Sequence, residues 1–310
     1  MSARLLIVTP VRNEAEHLEI VARAMAAQTR QPDRWLLVDD GSTDETPELL
    51  RRLERDLSFA HALRTPPSFT VDRGDRHAVA AAPRAFNYAL RHVSLAEFTH
   101  IGKLDGDIEL PPGYFEELLA EFDRDPRLGL AGGTVLERDG GQWLPVSVPE
   151  HHVRGALKLY SRDCLNAIGG VRECLGWDGI DGVYARMRGY ETRSFAHLLA
   201  RHHRPCGTAD GRLRSRRRAG ELQYVMGAPL PWVLLKSLQT ASARPAVISG
   251  LAFLYGYARA AAGPAGRVED DEYLRFMRRE LWGRMRRPLG LARSWPIRGR
   301  LSTSGSAGAD

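Results

Sequence analysis

Apolar and polar positions change rhythm several times along the chain, and each change predicts an element. Ala3-Arg-Leu-Leu-Ile-Val-Thr9 is an apolar, partly β-branched run stopped by Pro10, which predicts a buried strand. From Glu14 to Gln28 apolar residues recur at helical spacing (Leu18, Val21, Ala22, Met25). Arg34 to Val38 predicts a second buried strand, and Asp44-Glu-Thr-Pro47 opens a helix through Leu49, Leu50 and Leu53. Strand and helix in alternation predict βαβ units and a parallel sheet.

The same reading makes residues 65–83, rich in Pro, Gly, Asp and Arg, an exposed loop. Pro83 to His92 and Tyr114 to Phe122 read as helices, and Thr99 to Leu104 and Leu128 to Leu136 as strands. Leu157 to Asp181 reads as glycine-rich and irregular, Gly182 to Arg188 as a helix, and Thr192 to Leu199 as a further strand. Past Gly220 the pattern turns apolar. Pro229 to Ser237 and Pro245 to Ala262 carry Trp232, Phe253, Tyr255 and Tyr257, and Gly250 and Gly256 break the second stretch. A spanning helix needs about 20 consecutive apolar residues, so a membrane span ranks behind two readings left open. One is a helix in the membrane interface, flanked by Arg244 and Arg259; the other is a buried helical hairpin packed on the preceding domain. The expected division is 1–220, 221–300 as a helical extension that touches membrane or packs on the domain, and 301–310 as a disordered tail.

Composition changes this picture little. The chain has 310 residues, a 43% hydrophobic and 26% charged make-up, and three cysteines (Cys164, Cys174, Cys206) with no C-x-x-C pair. A disulfide framework and a zinc site are not indicated, and a reducing cytoplasmic compartment fits. The apolar run Leu5 to Val8 is too short for a signal-peptide core. The formal charge of +6 is concentrated around Arg212-Leu-Arg-Ser-Arg-Arg-Arg218. Without aromatic interleaving or a recognised module, these arginines do not point to nucleic acid. A solvated face, or one turned to anionic phosphate or lipid, remains.

Asp105-Gly106-Asp107 closes the strand that ends at Leu104. Two carboxylates there can converge on one hard divalent cation that bridges the phosphates of a nucleotide. The ends of all three predicted strands carry acceptors: Thr9 to Glu14, Asp39-Asp40, and Asp105 to Asp107. Ligands of open parallel sheets bind beyond such strand ends.

The block Val8-Thr-Pro-Val-Arg-Asn-Glu14, Gln28-Thr29 and Val38-Asp-Asp-Gly-Ser-Thr-Asp-Glu-Thr46 resembles family 2 glycosyltransferases, with its internal spacing intact. The resemblance covers about the first two-thirds of the chain. It implies a GT-A type α/β fold, with a mostly parallel central sheet flanked by helices and a C-terminal helical extension. It also implies an inverting, metal-dependent transfer of a sugar from a UDP-, GDP- or dTDP-sugar to a glycan or lipid-linked acceptor, in cell-envelope or exopolysaccharide synthesis at the inner face of the membrane. Asp40 would accept the base N–H, with Thr9, Pro10, Arg12 and Glu14 helping to hold the nucleoside. Asp105 and Gly106 would face ribose or metal-bound water, and Asp107 would ligate Mn2+ or Mg2+. Arg84, in Pro83-Arg-Ala-Phe-Asn87, stands near the place of the family's A-R-N segment.

The family's base is the aspartate of an E-D pair before a helix ending R-x-x-x-G-Y. Here Gly176-Trp-Asp-Gly-Ile-Asp181 precedes Tyr184-Ala-Arg-Met-Arg-Gly-Tyr190. Asp178 aligns as W-D; Asp181 is the second candidate and also reads as a helix N-cap. His202 or His203, after the last predicted strand, would complete the metal shell. A nucleotidyltransferase is the competing class, though Thr9 to Glu14 lacks a glycine-rich phosphate loop. A non-catalytic relative is the third reading, against which Asp107 and Asp178 both stand.

Overall fold

The computed structural model describes residues 3–67, 69, 80–204, 211–242, 246–263 and 265–286. Cys206, Arg244, most of the 65–83 segment and the 301–310 tail lie outside the described residues.

Both faces of the first strand are apolar, and that dictates the layering. In β1 (Leu5–Val11), Leu5 and Ile7 enter one core and Leu6 and Val8 the other. A strand buried on both sides needs helices on both faces of the sheet. One face is covered by α1 (Ala15–Ala26), α2 (Thr46–Asp56) and α4 (Tyr114–Arg124) through Leu18, Leu50 and Phe115. The opposite face is covered by α3 (Ala81–Leu90), α5 (Arg162–Ala167) and α6 (Trp177–Met187) through Phe86, Leu165 and Ile180. Four C-terminal helices continue the second layer: α7 (Arg212–Val225), α8 (Leu230–Ala241), α9 (Ile248–Ala262) and α10 (Asp271–Arg286). They contribute Val225, Val233, Phe253 and Met277 to the same core.

The remaining strands are β2 (Arg34–Asp39), β3 (Ala60–Arg64), β4 (His100–Leu104), β5 (Ile108–Glu109), β6 (Leu128–Asp139), β7 (Gln142–Pro145), β8 (Leu157–Ser161) and β9 (Glu191–His202). Their order is β3-β2-β1-β4-β8-β6-β9-β5, with β7 paired to β6. Pairing is parallel through β3-β2-β1-β4 and again between β6 and β9, while β8 enters antiparallel between β4 and β6. Chain order reverses at β1, where the first connection runs to β2 on one side and β4 lies on the other. That is the crevice where an open α/β sheet receives ligands.

Three expectations need correction. Residues 157–181 are not irregular: they hold β8, α5 and the start of α6. The buried Lys158 in β8 obscured the apolar run, because its charge is neutralised only by tertiary partners. Helix α6 begins at Trp177 rather than Gly182, since Gly179 does not break it; Met226, at the C-cap of α7, packs on that glycine. The last strand runs on to His202. Strand β3, Ala-His-Ala-Leu-Arg, carries no β-branched residue and gave no strand signal.

The helical extension is a packed layer with one bare face. Gly220 of α7 and Gly256 of α9 let the two backbones touch: a Cβ on Gly256 would meet Arg217 O at 1.9 Å, and one on Gly220 would meet Phe253 O at 1.9 Å. On the outside, Leu230, Leu234 and Leu238 of α8 and Ile248, Leu251 and Tyr255 of α9 are exposed. No helix among the described residues is long and apolar enough to cross a membrane.

Candidate functional site

The loops after β1 and β2 are sewn together by side chains of the acidic motif. Asn13 N donates to Ser42 Oγ (3.0 Å), Glu14 N to Thr46 Oγ1 (2.9 Å) and Ala15 N to Asp44 Oδ2 (3.3 Å). In return Thr43 N donates to Asn13 Oδ1 (2.8 Å), and Asn13 adopts φ 54°, a left-handed geometry that asparagine tolerates. Much of the motif therefore builds the crevice wall. Ser42 serves this seam and does not cap α2, whereas Asp44 also accepts Thr46 N (3.0 Å) at the helix start. Asp40 is buried beside the seam, where Thr65 Oγ1 donates to it at 3.4 Å. Pro10 and Arg12 are half-buried at the end of β1. Thr9 points into the core, where its hydroxyl accepts Trp35 Nε1 at 2.8 Å.

Asp105, Gly106 and Asp107 form the turn between β4 and β5. Gly106 passes so close to the end of β1 and the start of α1 that a Cβ would meet Val11 Cγ1 at 3.1 Å and Glu14 Cγ, at the helix N-cap, at 3.3 Å. Glu14 accepts Arg204 Nη2 at 2.6 Å. Its pKa is raised to about 7 by burial and by the charge of Asp107, against the pull of Arg204. Asp107 lies with Oδ2 3.4 Å from His202 Nε2, and His202 Nδ1 is 3.6 Å from Glu137. Burial opposes ionisation of Asp107, but the hydrogen bond and charge of His202 hold its pKa below the usual carboxylate range. His202 is raised in turn: Asp107 outweighs the burial that would lower it. The sequence left the two histidines equal; the structure separates them. His203 turns away, its Nε2 2.8 Å from Glu109 Oε2 and its ring edge-on to Trp143.

Asp105 and Asp178 face one cavity of about 340 Å3, lined also by Lys103, Arg154, Gly155 and Trp177. Small-ligand sites run from about 300 to 1,000 Å3. Lys103 of β4, part of the cavity's lining, stands directly across from the buried Lys158 of β8. Two buried ammonium groups so placed would repel, and each has its own carboxylate. Lys103 Nζ donates to Asp105 and, at 2.8 Å, to Gly155 O. Lys158 Nζ donates to both oxygens of Asp181 at 2.7 and 2.8 Å. The indole of Trp177 covers both, its centroid 5.3 Å from Lys103 Nζ and 5.1 Å from Lys158 Nζ.

That arrangement also separates the two aspartates of α6. Asp181 is fully buried, accepts the Tyr160 hydroxyl and does not reach the cavity. It is not the helix N-cap; that position belongs to Gly176. Lys158 Nζ also donates to Asp178 O at 2.6 Å, so the Asp181–Lys158 pair fixes the turn that carries Asp178. Arg84 turns from the cavity to lie over Phe69, 4.8 Å from its ring, and donates to Phe69 O.

Arg154 and Lys103 were not singled out from sequence, and Trp177 only as the residue in place of the glutamate of the E-D pair. Arg154 bonds Glu137 at 3.0 Å, while its other terminal nitrogen, Nη1, is buried with no hydrogen-bond partner. An orphaned guanidinium N–H at the cavity fits an anionic ligand group. Asp107 Oδ1 is likewise buried without a hydrogen-bond partner. A bare carboxylate oxygen suits a hard cation. Among the described residues no three His, Cys, Asp or Glu side chains converge as a ready-made metal cage.

A parallel-centred α/β sheet with a carboxylate turn at the crevice defines the class. The chain belongs to glycosyl transferase family 2, whose sequence profile matches residues 6–166, just over half its length. Its fold is of the GT-A type. Over 128 residues it is 29% identical to undecaprenyl-phosphate 4-deoxy-4-formamido-L-arabinose transferase of Salmonella paratyphi A. That match takes in 39% of this chain and only 34% of the relative, so the chain spans about a third of that protein's length. Among solved structures, it resembles the mannosyltransferase PcManGT from Pyrobaculum calidifontis in complex with GDP-Man and Mn2+, with TM-score 0.53, 19% identity, and 84% and 74% of the two chains covered. It also resembles TarS 1-349 of S. aureus (TM-score 0.52, 13% identity, 83% and 71% covered). GalNAc-T7 with UDP, GalNAc and Mn2+ gives TM-score 0.59 at 12% identity, with 90% and 54% covered. Such distant likeness shows the fold.

Proposed function

We propose that the protein is a metal-dependent, inverting glycosyltransferase that moves a sugar from a nucleoside-diphosphate donor to a hydroxyl of a glycan or lipid-linked acceptor. The observation that carries this reading is the shared cavity of Asp105 and Asp178, with Asp107 immediately beside it in the same turn. The nucleoside lies against the seam at Asp40, Pro10, Arg12 and Glu14. Asp107, with His202 behind it, would hold Mn2+ or Mg2+, and Asp105 would face the ribose or metal-bound water. When bound, the cation neutralises charge on the departing diphosphate. Arg154 Nη1 donates to the same anionic part of the donor. Asp178 takes the proton of the acceptor hydroxyl; that oxygen bonds to the sugar's anomeric carbon as the bond to the diphosphate breaks, and the diphosphate leaves with the electron pair.

GDP-Man bound by PcManGT, UDP-GlcNAc bound by TarS 1-349, and UDP with GalNAc bound by GalNAc-T7 support a nucleotide-sugar donor, and Mn2+ in the first and last of those complexes supports the cation. The curated relative's undecaprenyl-phosphate substrate supports a lipid-linked acceptor. The exposed apolar face of α8 and α9 supports placement at a membrane surface.

A panel of UDP-, GDP- and dTDP-sugars with Mn2+ or Mg2+, read by released nucleoside diphosphate, tests the donor. Asp107→Asn is expected to abolish metal-dependent donor binding. Asp178→Asn should keep donor binding and lower transfer about 100- to 10,000-fold, the span of a lost general base. Full activity of Asp178→Asn would overturn the assignment of the base.

A further inference from the structure

The turn that carries Asp178 has little side-chain substance of its own. Helix α6 opens on Gly176, at φ 79°, followed by Trp177, Asp178 and Gly179. Glycine at both ends of this turn leaves its backbone more freedom than any other residue would, so contacts from outside must fix it. Two come from β8 and the loop before it. Lys158 Nζ donates to Asp178 O at 2.6 Å, and Gly155 lies so close that a Cβ there would stand 3.1 Å from Asp178 Cβ. Two more come from the extension. Leu222 fills the notch at Gly176, where any Cβ would overlap Leu222 Cδ1. Met226 lies over Gly179, where a Cβ would meet its Cε at 3.1 Å and its Sδ at 3.4 Å. The two side chains are one helical turn apart at the end of α7, where Met226 N donates to Leu222 O at 2.9 Å. They bracket the aspartate. Leu222 also lines the cavity of about 340 Å3 that Asp178 shares with Asp105, and Met226 lines a smaller one of about 140 Å3 that Asp178 lines too.

We infer that Leu222 and Met226 are positioning residues for the base: seated on the two glycines that flank it, they hold Asp178 where its carboxylate meets the acceptor hydroxyl. The inference rests on Asp178 as the base of the proposed transfer. It gives the C-terminal extension a share in catalysis apart from any membrane contact. A general base must stand within about 2.6–3.2 Å of the group it deprotonates, and a misplacement of about 1 Å can cost about 100-fold in rate. Packing alone would ask only for apolar bulk somewhere between α6 and α7. Here both side chains meet the positions immediately before and after the Trp177-Asp178 pair.

The full chain tests it without a known acceptor, because water can take the acceptor's place. Asp178 then takes a proton from water, the oxygen bonds to the anomeric carbon, and the nucleoside diphosphate leaves with the electron pair. The readout is kcat and KM for nucleoside diphosphate release from the donor that the UDP-, GDP- and dTDP-sugar panel selects. Leu222→Ala with Met226→Ala is expected to lower kcat about tenfold or more and leave KM for the donor unchanged. Leu222→Met with Met226→Leu, which keep the volume, should retain most of it. In an Asp178→Asn background the alanine pair should cost nothing further, since no base is left to place. Equal loss in both backgrounds would mean general packing, and an unchanged kcat would mean that the turn holds itself; either overturns the inference. Hydrogen–deuterium exchange at residues 176–180 reads the clamp without turnover: it should quicken in the alanine pair and not in the volume-keeping pair, and no change in the alanine pair also overturns it. Should the alanine pair fail to fold, Met226→Ala alone, at the half-buried end of α7, is read in the same way. Full hydrolysis by Asp178→Asn would instead sink the base, and failure of the wild type to bind a nucleoside diphosphate with Mn2+ would sink the donor reading, so the failures are distinguishable.

Discussion

Trp177 stands where the family's pattern has glutamate, and its surroundings give that exchange a physical reason. A carboxylate there would have joined Asp105, Asp178 and Asp181 around two lysines; the indole covers both ammonium groups without adding charge. Removing one member of the Lys158–Asp181 pair leaves a buried charge unmatched, so Asp181→Asn or Lys158→Met should destabilise the fold by about 3–5 kcal/mol in denaturant unfolding. The double change Lys158→Met with Asp181→Leu should recover much of that loss. If Asp181→Asn were as stable as the wild type yet inactive, Asp181 would act in chemistry. The sequence could name Asp178 and Asp181 but not rank them by burial, because what buries Asp181 is a lysine 23 residues away. Likewise His202 and His203 are adjacent in sequence and point in opposite directions, an outcome of strand alternation once β9 is known to reach His202.

At the scale of elements, the alternating strands and helices of the first 56 residues were legible because each is a short apolar run with clear punctuation. The stretch from Leu157 to Asp181 was not. Its glycines look like breakers, and its strand hides a lysine that only β4, α6 and Trp177 make tolerable. The C-terminal hairpin was legible as helical, and the sequence did not say which of its residues pack on the domain. Val233 and Phe253 pack inward, while Leu234 and Leu251 face out. The crossing of α7 and α9 depends on having no side chain at the contact. Gly256→Leu should force the helices apart, loosen α8 and α9 from the domain, and show as new cleavage sites between 226 and 270 in limited proteolysis. An unchanged digestion pattern would mean that the crossing yields without loss.

For the whole molecule, the sheet divides labour between its faces: α1, α2 and α4 close one side, while the other carries α6, with Asp178, and the extension. The bare leucines of α8 therefore lie on the same side of the sheet as Asp178, which suits an acceptor delivered from a lipid surface. Anionic vesicles in a flotation assay check this. The wild type should co-float, and Leu234→Glu with Leu251→Glu should release it without changing donor binding; equal flotation of both would remove the membrane from the account. No local pattern points to this shared side, since sidedness belongs to topology.

The carboxylate turn has a mechanical meaning as well. β4 and β5 are consecutive in sequence, yet four places apart in the sheet, so Asp105 to Asp107 is a strap thrown from the centre of the sheet to its far edge. It is tied there by the His203 amide, which donates to Asp107 O at 2.9 Å, and by the pairing of Ile108 with His202. A ligand that grips the turn grips the sheet's closure. Donor and cation together should slow hydrogen–deuterium exchange at the His203 amide more than at amides of β3, on the opposite edge. Equal slowing at both edges would mean global stabilisation only; a difference would make the exchange rate of a single amide the gauge of whether the clasp is shut.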